Sequence, residues 1–377
     1  MWYYIVAFSI SLIGIYFANS TYKNKWLFCF FSFIGLLPPI LIAGFRDHTI
    51  GADTDFYILP IFFQATRYFT NIKEFIEANP NTDVLYLYYT WFVTRFAHDS
   101  YIYLSLNHIL IFLPLYITAF KLRKYLSPVT FFLLYYLVFY QESLSIVRQS
   151  IAISFSMLAF VFYLERKLKL YLCLMAIAFG FHSTVIITLL YPLMIKYLKK
   201  YPLDENNKKF FFFIILGVFV VINLNFLLIF LINAGVLNVK YLIYTAQSDT
   251  FKGGLGITNF IIKIVIIFFI YCFRKKHKRS IFYDFAFVVS ILDLILCLCA
   301  LLVEPLDRFS LYPRTMLCIT LPILFDICKK GKTYTLVCMK YLLVSLLCFF
   351  WYYVYIQGDF DSTSEYKMDS KIAVFLI

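Results

Sequence analysis

The sequence predicts an all-α fold, a polytopic membrane bundle of about twelve transmembrane helices. Hydrophobic residues occupy 62% of the 377 positions and charged residues only 15%, against about 25% charged in an ordinary soluble domain. Mean hydropathy is +0.80, and the chain carries 45 Phe and 32 Tyr. One globular core cannot bury so many apolar side chains, so most of them must face lipid. A soluble globular protein is therefore excluded.

Apolar runs of transmembrane length recur along the chain and define the predicted helices in order. They lie at residues 1–19, 26–44, 100–120, 125–141, 144–164, 168–181, 183–197, 209–233, 256–273, 281–303, 311–328 and 334–356. A single helix over 168–197 would measure about 45 Å, which is too long for a hydrocarbon core of about 30 Å. We therefore expect a turn at residues 181–183. The apolar segment 84–96 is short and contains Arg95, so we expect an interfacial helix there.

The distribution of basic residues predicts the orientation of these helices. One alternating set of loops carries 21 Lys and Arg, whereas the opposite loops, helix mouths and tail carry 11. Since cytoplasmic loops carry the excess of Lys and Arg, we expect the first set to be cytoplasmic and both termini to lie outside. We expect one transmembrane unit over residues 1–356, with an outer loop at 45–83 and an acidic outer tail at 357–377.

The outer loop carries the first polar cluster, shortly after the second apolar run. Gly51 permits a tight turn, and Arg46 is followed by the carboxylates of Asp53 and Asp55. Such a cluster could bind a sugar or position a catalytic base. A polar loop with an Asx-turn and a surface ion pair is the plainer alternative.

A second polar feature is the pair Arg148 and Gln149, one turn inside the outer end of the predicted helix 144–164. A cation costs about 2–3 kcal/mol at the centre of a span and less near the interface, so it needs an anionic partner. An anionic substrate is one such partner. Snorkelling to lipid headgroups, or pairing with Glu142, is the alternative.

A third feature is the dipeptide His182–Ser183 at the predicted turn between two half-length runs. Interrupted spans line polar cavities rather than lipid, and a histidine there could act as a general base near neutral pH. A structural histidine is the alternative, with Ser183 as the N-cap of the following helix.

The loop before the predicted helix 311–328 adds Arg308, and Arg314 follows early in that run. With Arg46 and Arg148 they make four arginines at outer membrane boundaries. Guanidinium groups bind phosphate oxygens with bidentate hydrogen bonds, so this convergence predicts a pyrophosphate-binding site.

Two further charges, Lys263 and Asp293, lie inside apolar runs at similar depth. We expect a structural ion pair between adjacent helices, with a proton or ion pathway as the sharper alternative.

The order of these motifs resembles that of a known family. Arg-x(4)-Gly-x-Asp-x-x-x-Tyr follows the second run, Arg-Gln opens a later helix, Phe-His-Ser marks the turn, and Arg-x(3)-Tyr lies near the end. The matching residues are Arg46, Gly51, Asp53, Tyr57, Arg148, Gln149, Ala152, Phe181, His182, Ser183, Arg308 and Tyr312. Over about residues 1–328 the chain resembles the EpsG family of Wzy-like exopolysaccharide and O-antigen polymerases.

The resemblance implies a glycosyltransferase in the bacterial cytoplasmic membrane. It would transfer a glycan from one polyprenyl pyrophosphate to a second lipid-linked repeat unit on the outer face. His182 and Asp53 would be the candidate bases. The residues that would bind the pyrophosphate and sugars are Arg46, Arg148, Gln149, Arg308, Arg314, Asp55, Tyr57 and Tyr312.

The expected partners follow from this chemistry. They are the lipid-linked donor and acceptor, the bilayer and a chain-length regulator. Because arginines would neutralise the leaving group, no metal or other cofactor is expected. No basic run has the aromatic interleaving of a nucleic-acid surface, so we expect no nucleic acid as a partner.

Two other functions stay open at this stage. A metal-dependent GT-C-type glycosyltransferase would also place Asp53 or Asp55 in an outer loop, and the helix bundle would then be GT-C-like. A non-enzymatic transporter of lipid-linked sugars would need charges near the membrane midplane, of which the sequence shows Lys263 and Asp293.

Overall fold

The computed structural model is helical over the residues that it describes. These are residues 1–203, 255–276, 281–300, 307–330 and 334–369, together with the single positions 215, 219, 229, 230 and 233. Over them no strand forms, and one isolated backbone bridge joins Arg46 to Met368. The predicted all-α fold class is confirmed.

The chain divides into two compact units, of which the first comprises Met1–Leu189 and Trp351–Ile377. Its α-helices are α1 (Trp2–Ser20), α2 (Lys25–Gly44), α3 (Leu59–Arg67), α4 (Ile72–Ala78), α5 (Val84–Val93), α6 (Ser100–Lys121), α7 (Pro128–Val138), α8 (Tyr140–Ser145), α9 (Val147–Leu164) and α10 (Leu168–Phe181). Its other helical turns are the π-helices Thr54–Ile58 and Tyr352–Gln357 and the 3-10 helices Ser183–Leu189 and Phe360–Ser362.

The second unit is Leu190–Phe350. Its described α-helices are α11 (Leu190–Lys200), α12 (Leu255–Lys276), α13 (Ile281–Ala300), α14 (Asp307–Lys330) and α15 (Tyr334–Trp351). Lys263 on α12 and Asp293 on α13 form a buried ion pair, with side chains 3% and 2% exposed. The structural pair predicted between adjacent helices is therefore present.

Six helices of the described residues are long and apolar enough to cross a membrane. They are Trp2–Ser20, Lys25–Gly44, Ser100–Lys121, Val147–Leu164, Ile281–Ala300 and Val337–Gln357. Four shorter apolar helices are Val84–Val93, Pro128–Val138, Leu168–Phe181 and Thr258–Phe273. The predicted run 209–233 lies outside the described residues apart from single positions. A multi-pass membrane bundle is thus supported, whereas the total of about twelve spans and a GT-C-like arrangement are not confirmed.

Helices α1 and α2 approach each other closely because glycines face each other at their contact. A Cβ added to Gly14 would lie 2.6 Å from the backbone nitrogen of Gly35. Beside this contact the rings of Phe8 and Tyr136 stack at 4.3 Å, and the Ser11 hydroxyl lies 2.5 Å from that of Tyr136. Aromatic rings and small residues therefore fill this part of the bundle together.

The predicted helix break falls at His182. Helix α10 ends at Phe181, and His182 adopts extended backbone angles, φ −160° and ψ 116°. A 3-10 helix begins at the next residue, Ser183. One continuous helix over 168–197 is therefore excluded, and the imidazole lies at a helix end.

Arg46 anchors the start of the outer loop and is 1% exposed. Its guanidinium donates to the carbonyls of Ile50 at 3.2 Å and Leu144 at 2.9 Å, to the Thr54 hydroxyl at 3.1 Å, and to the Ala43 carbonyl. Burial lowers the pKa of Arg46 to about 10, which leaves it charged at neutral pH. Its partners are all uncharged, so hydrogen bonding alone holds this cation in place.

Gly51 also holds the outer loop close to its neighbours. Its φ of +87° lies in the left-handed region, and a Cβ would lie 2.5 Å from the Leu144 carbonyl oxygen. The Gly51 N–H donates to the Asp361 carbonyl at 3.0 Å. The close approach of the loop to both neighbours therefore requires glycine.

The segment 358–369 packs along the outer loop. The Asp47 N–H donates to the Lys367 carbonyl at 2.8 Å, and the Asp369 N–H donates to the Phe45 carbonyl at 2.9 Å. This part of the predicted acidic tail is therefore an integral part of the first unit, and it fixes the backbone on either side of Arg46.

We predict that Arg46→Lys destabilises the folded protein by about 2–3 kcal/mol, because a single ammonium cannot reach acceptors spread around a guanidinium fork. The measurement is the fraction of detergent-solubilised protein that stays folded during a heating series. Arg67→Lys, on the exposed end of α3, is the matched control and should match the wild type. A stable Arg46→Lys protein that binds its substrate weakly would instead support the direct phosphate contact predicted from the sequence.

Candidate functional site

The carboxylate of Asp83 brings Arg148 and His182 together. Arg148 Nη1 lies 2.9 Å from Asp83 Oδ2, and His182 Nδ1 lies 3.2 Å from the same oxygen. The Ser183 backbone N–H donates to Asp83 Oδ1 at 3.2 Å. A cation, a carboxylate and an imidazole therefore form one connected cluster.

Each of these three charged or titratable groups lies at the end of a helix. Asp83 immediately precedes α5, Arg148 lies in the first turn of α9, and His182 directly follows α10. Helix α10 packs against both α5 and α9, which brings the three ends together. Asp83 occupies the N-cap position of α5, yet its side chain makes no capping hydrogen bond. Its carboxylate is turned toward Arg148 and His182 instead.

The surroundings keep Asp83 ionised. Burial raises the pKa of this carboxyl, but the hydrogen bond and charge of His182, the charge of Arg148 and the Ser183 N–H together lower it below its ordinary value. The side chains of Asp83, Arg148 and His182 are 17%, 17% and 16% exposed. The cluster is thus mostly shielded from solvent but still reachable from the surface.

Aromatic rings support the guanidinium of Arg148. Its Cζ lies 4.1 Å from the ring centroid of Tyr57 and 5.8 Å from that of Tyr86. The Tyr57 hydroxyl hydrogen-bonds to Thr82, and Tyr86 accepts a hydrogen bond from the Tyr103 hydroxyl at 2.7 Å. Cation–π contact with rings that are themselves fixed holds Arg148 in one orientation.

Asp83 is the residue that sequence reasoning missed. An acidic residue just before an apolar run is typical of a helix N-cap, and the sequence alone gives no reason to pair it with a histidine 99 positions away. Arg148 does have the anionic partner that its depth requires. That partner is Asp83, whereas Glu142 accepts a hydrogen bond from the Tyr355 hydroxyl at 3.0 Å.

Most other predicted residues of the first unit lie in the outer loop. Asp53 and Asp55 flank the start of the π-helix Thr54–Ile58, and His48 Nδ1 lies 3.3 Å from Asp55 Oδ1 at an exposed position. Tyr57 lies on the same π-helix and so connects this loop to Arg148. Gln149, next to Arg148, is buried.

The remaining predicted residues lie on α14 of the second unit. Arg308 is exposed near the start of this helix. Tyr312 and Arg314 are buried one and two turns further on, and Arg314 Nη2 donates to the Ser310 hydroxyl at 2.9 Å. Within α14, Arg308 is therefore the exposed arginine and Arg314 the buried one, and the predicted convergence of four arginines on one phosphate site stays a prediction.

Comparison with known proteins identifies one family. The model of the EpsG family matches residues 30–368, nearly the whole chain. No curated protein and no solved structure matches the sequence. The family match includes Arg46, Asp83, Arg148 and His182, together with the part of the C-terminal segment that packs on the outer loop. The chain therefore belongs to the EpsG family, whose members are polysaccharide polymerase-like membrane proteins.

Proposed function

We propose that this protein is a polysaccharide polymerase of the cytoplasmic membrane. It transfers a glycan from polyprenyl pyrophosphate to a lipid-linked repeat unit on the outer face. The observation that carries the proposal is the cluster of Arg148, Asp83 and His182. Polymerisation of this kind needs a cation for the pyrophosphate leaving group and a base for the acceptor hydroxyl, and the cluster supplies both.

The proposed step is a single displacement at the anomeric carbon of the donor sugar. The acceptor hydroxyl oxygen forms the new bond to this carbon, while the bond to the pyrophosphate oxygen breaks and its electron pair leaves with the pyrophosphate. The hydroxyl proton moves to Nε2 of His182, since Nδ1 faces Asp83. Arg148 stabilises the charge that develops on the leaving phosphate oxygens.

The other predicted residues take supporting roles in this proposal. Arg46 positions the outer loop, because its donors contact carbonyls and a hydroxyl of the protein itself. Tyr57 orients Arg148, and exposed Asp55 suits hydrogen bonds from sugar hydroxyls. Asp53 is the alternative base. Arg308, Arg314, Tyr312 and Gln149 remain proposed substrate contacts.

The proposed function predicts what cells accumulate when the gene is deleted. Polymer should disappear, while polyprenyl-linked single repeat units build up on the outer leaflet. Chromatography of extracted lipid-linked glycans measures their amount, and treatment of spheroplasts with a membrane-impermeant oxidant before extraction reports their leaflet. Repeat units trapped on the inner leaflet would indicate a transporter. Polymer synthesis that stops when EDTA is added to membranes would indicate a metal-dependent glycosyltransferase instead.

For polymer formation, the planar shape of the Arg148 guanidinium should matter as much as its charge. We expect Arg148→Lys to reduce polymer formation nearly as much as Arg148→Ala, because an ammonium loses the planar fork that bonds phosphate in pairs. The measurement is polymer formed per folded molecule in membrane vesicles supplied with extracted repeat units. Full activity of Arg148→Lys would indicate that this residue serves only as the charged partner of Asp83.

His182→Gln keeps the size and hydrogen-bonding capacity of the side chain but cannot accept a proton near pH 7. We expect polymer formation per folded molecule to fall roughly 10²–10⁴-fold, with the amount of folded protein unchanged. A structural histidine would give the opposite result, less folded protein with normal turnover. Normal turnover would transfer the role of base to Asp53.

A further inference from the structure

One carboxylate oxygen serves two partners in the cluster. Oδ2 of Asp83 lies 2.9 Å from Arg148 Nη1 and 3.2 Å from His182 Nδ1, while Oδ1 accepts the Ser183 N–H. The cation beside this oxygen offsets part of its negative charge. Any change in the position or charge of Arg148 therefore alters the electrostatic effect of Asp83 on His182.

We propose that Asp83 is a positioning residue that couples pyrophosphate binding to the basicity of His182. The inference rests on the proposed function for its role in catalysis. In the unliganded protein Asp83 is shared between the cation and the imidazole. When a pyrophosphate binds Arg148, the anion offsets the cation, and the full charge of Asp83 then acts on His182.

The geometry allows this exchange without large movements. The backbone of Asp83 is held at the start of α5, where the Leu87 N–H donates to its carbonyl at 3.2 Å. Arg148 Nη1 faces Asp83 while its Cζ lies 4.1 Å from the Tyr57 ring centroid, so a ligand can bind the other guanidinium nitrogens without moving Arg148 off the ring. Both partners are partly exposed, so a phosphate reaches Arg148 without unfolding a helix.

The proposal also explains which nitrogen of His182 receives the proton. A hydrogen bond from Nδ1–H to Asp83 leaves the lone pair on Nε2. When Nε2 takes the proton of the acceptor hydroxyl, the imidazolium stays paired with the carboxylate. Asp83 thus stabilises the charge on His182 that appears in the transfer step, at the moment when the pyrophosphate takes the bonding electrons.

Few other groups around His182 titrate between pH 5 and 8. Arg148 faces it from α9, Asp83 from the segment before α5, and Tyr57 and Tyr86 surround Arg148. Phenol and guanidinium groups do not ordinarily titrate in this range. A titration of His182 therefore reports on Asp83 and Arg148.

The test measures His182 directly and does not depend on activity. Purified full-length protein in detergent is treated with diethyl pyrocarbonate, which modifies neutral imidazole, over pH 5 to 8. Mass spectrometry follows the peptide that contains His182, with exposed His98 as the internal reference. The series is run with and without inorganic pyrophosphate as the probe.

In the wild type, pyrophosphate should move the pH midpoint of His182 modification upward, and at pH 6.5 the reaction should slow about threefold or more. Arg148→Ala should raise the midpoint without pyrophosphate, and pyrophosphate should then add no further shift. Asp83→Asn should lower it. The His98 reaction should not change in any variant. A midpoint that is insensitive to pyrophosphate in the wild type, or unchanged in Asp83→Asn, overturns the proposal.

Polymer formation provides the second measurement. Asp83→Asn should lower polymer formed per folded molecule about 10²-fold, and Asp83→Glu, which keeps the carboxylate, should recover part of it. Asp99→Asn, the same change at the N-cap before α6, is the matched control and should leave activity unchanged.

The two hypotheses fail separately. If the His182 midpoint responds as described but His182→Gln polymerises normally, the coupling stands and the proposed base is wrong. If Asp83→Asn does not fold, the Arg148→Ala and pyrophosphate titrations still decide the question, because both use a protein that retains Asp83.

Discussion

A carboxylate that is mostly shielded from water, with a cation on one side and an imidazole on the other, is the constraint on which the rest of the site depends. Asp83 cannot be removed without leaving the charge of Arg148 uncompensated at the start of α9. It also cannot shift far, because the Ser183 N–H and the beginning of α5 hold both its side chain and its backbone. The packing of α5, α9 and α10 is therefore coupled to the electrostatics of the site, and a change at any of these helix ends alters the chemistry of His182.

In the first unit, irregular backbone segments rather than freely moving loops position the groups around Asp83. A π-helix carries Tyr57 to the face of Arg148, and the extended backbone of His182 turns its ring toward Asp83. Both irregular segments are anchored. The loop before the π-helix is held by the buried guanidinium of Arg46 and by the C-terminal segment that bonds to both sides of it. Anchoring of this kind keeps Arg148, Asp83 and His182 within hydrogen-bonding distance before a ligand arrives, as electrostatic catalysis of the proposed kind would require.

The features that depend on local sequence pattern could be predicted from the sequence, whereas those that depend on tertiary packing could not. Apolar length predicted the all-α fold, of which the described residues show six helices of spanning length and four shorter apolar ones, while the total of about twelve is not confirmed. The break between two half-length runs located His182 correctly at a helix end. The depth of Arg148 predicted that it must have an anionic partner. Only the packed helices show that this partner is Asp83, because residues 65 positions apart in sequence are brought together by tertiary contacts. The sequence likewise did not show that the guanidinium of Arg46 bonds to carbonyls of the protein itself, and its predicted contact with phosphate stays a prediction.

The two least exposed ion-paired clusters of the described residues differ in one physical respect that separates structure from candidate function. Lys263 and Asp293 are 3% and 2% exposed and pair with each other between two apolar helices, so each charge offsets part of the cost of burying the other. The groups around Asp83 are 16% to 17% exposed, and one carboxylate is shared by two donors. A closed pair of equal and opposite charges has no reason to bind an anion. In the cluster around Asp83 one carboxylate is shared by a cation and an imidazole, and the side chains are still partly accessible, so an incoming pyrophosphate could bind Arg148. This difference in accessibility and in the sharing of the carboxylate, more than the number of arginines, is the reason to propose Arg148 and His182 as the site of chemistry.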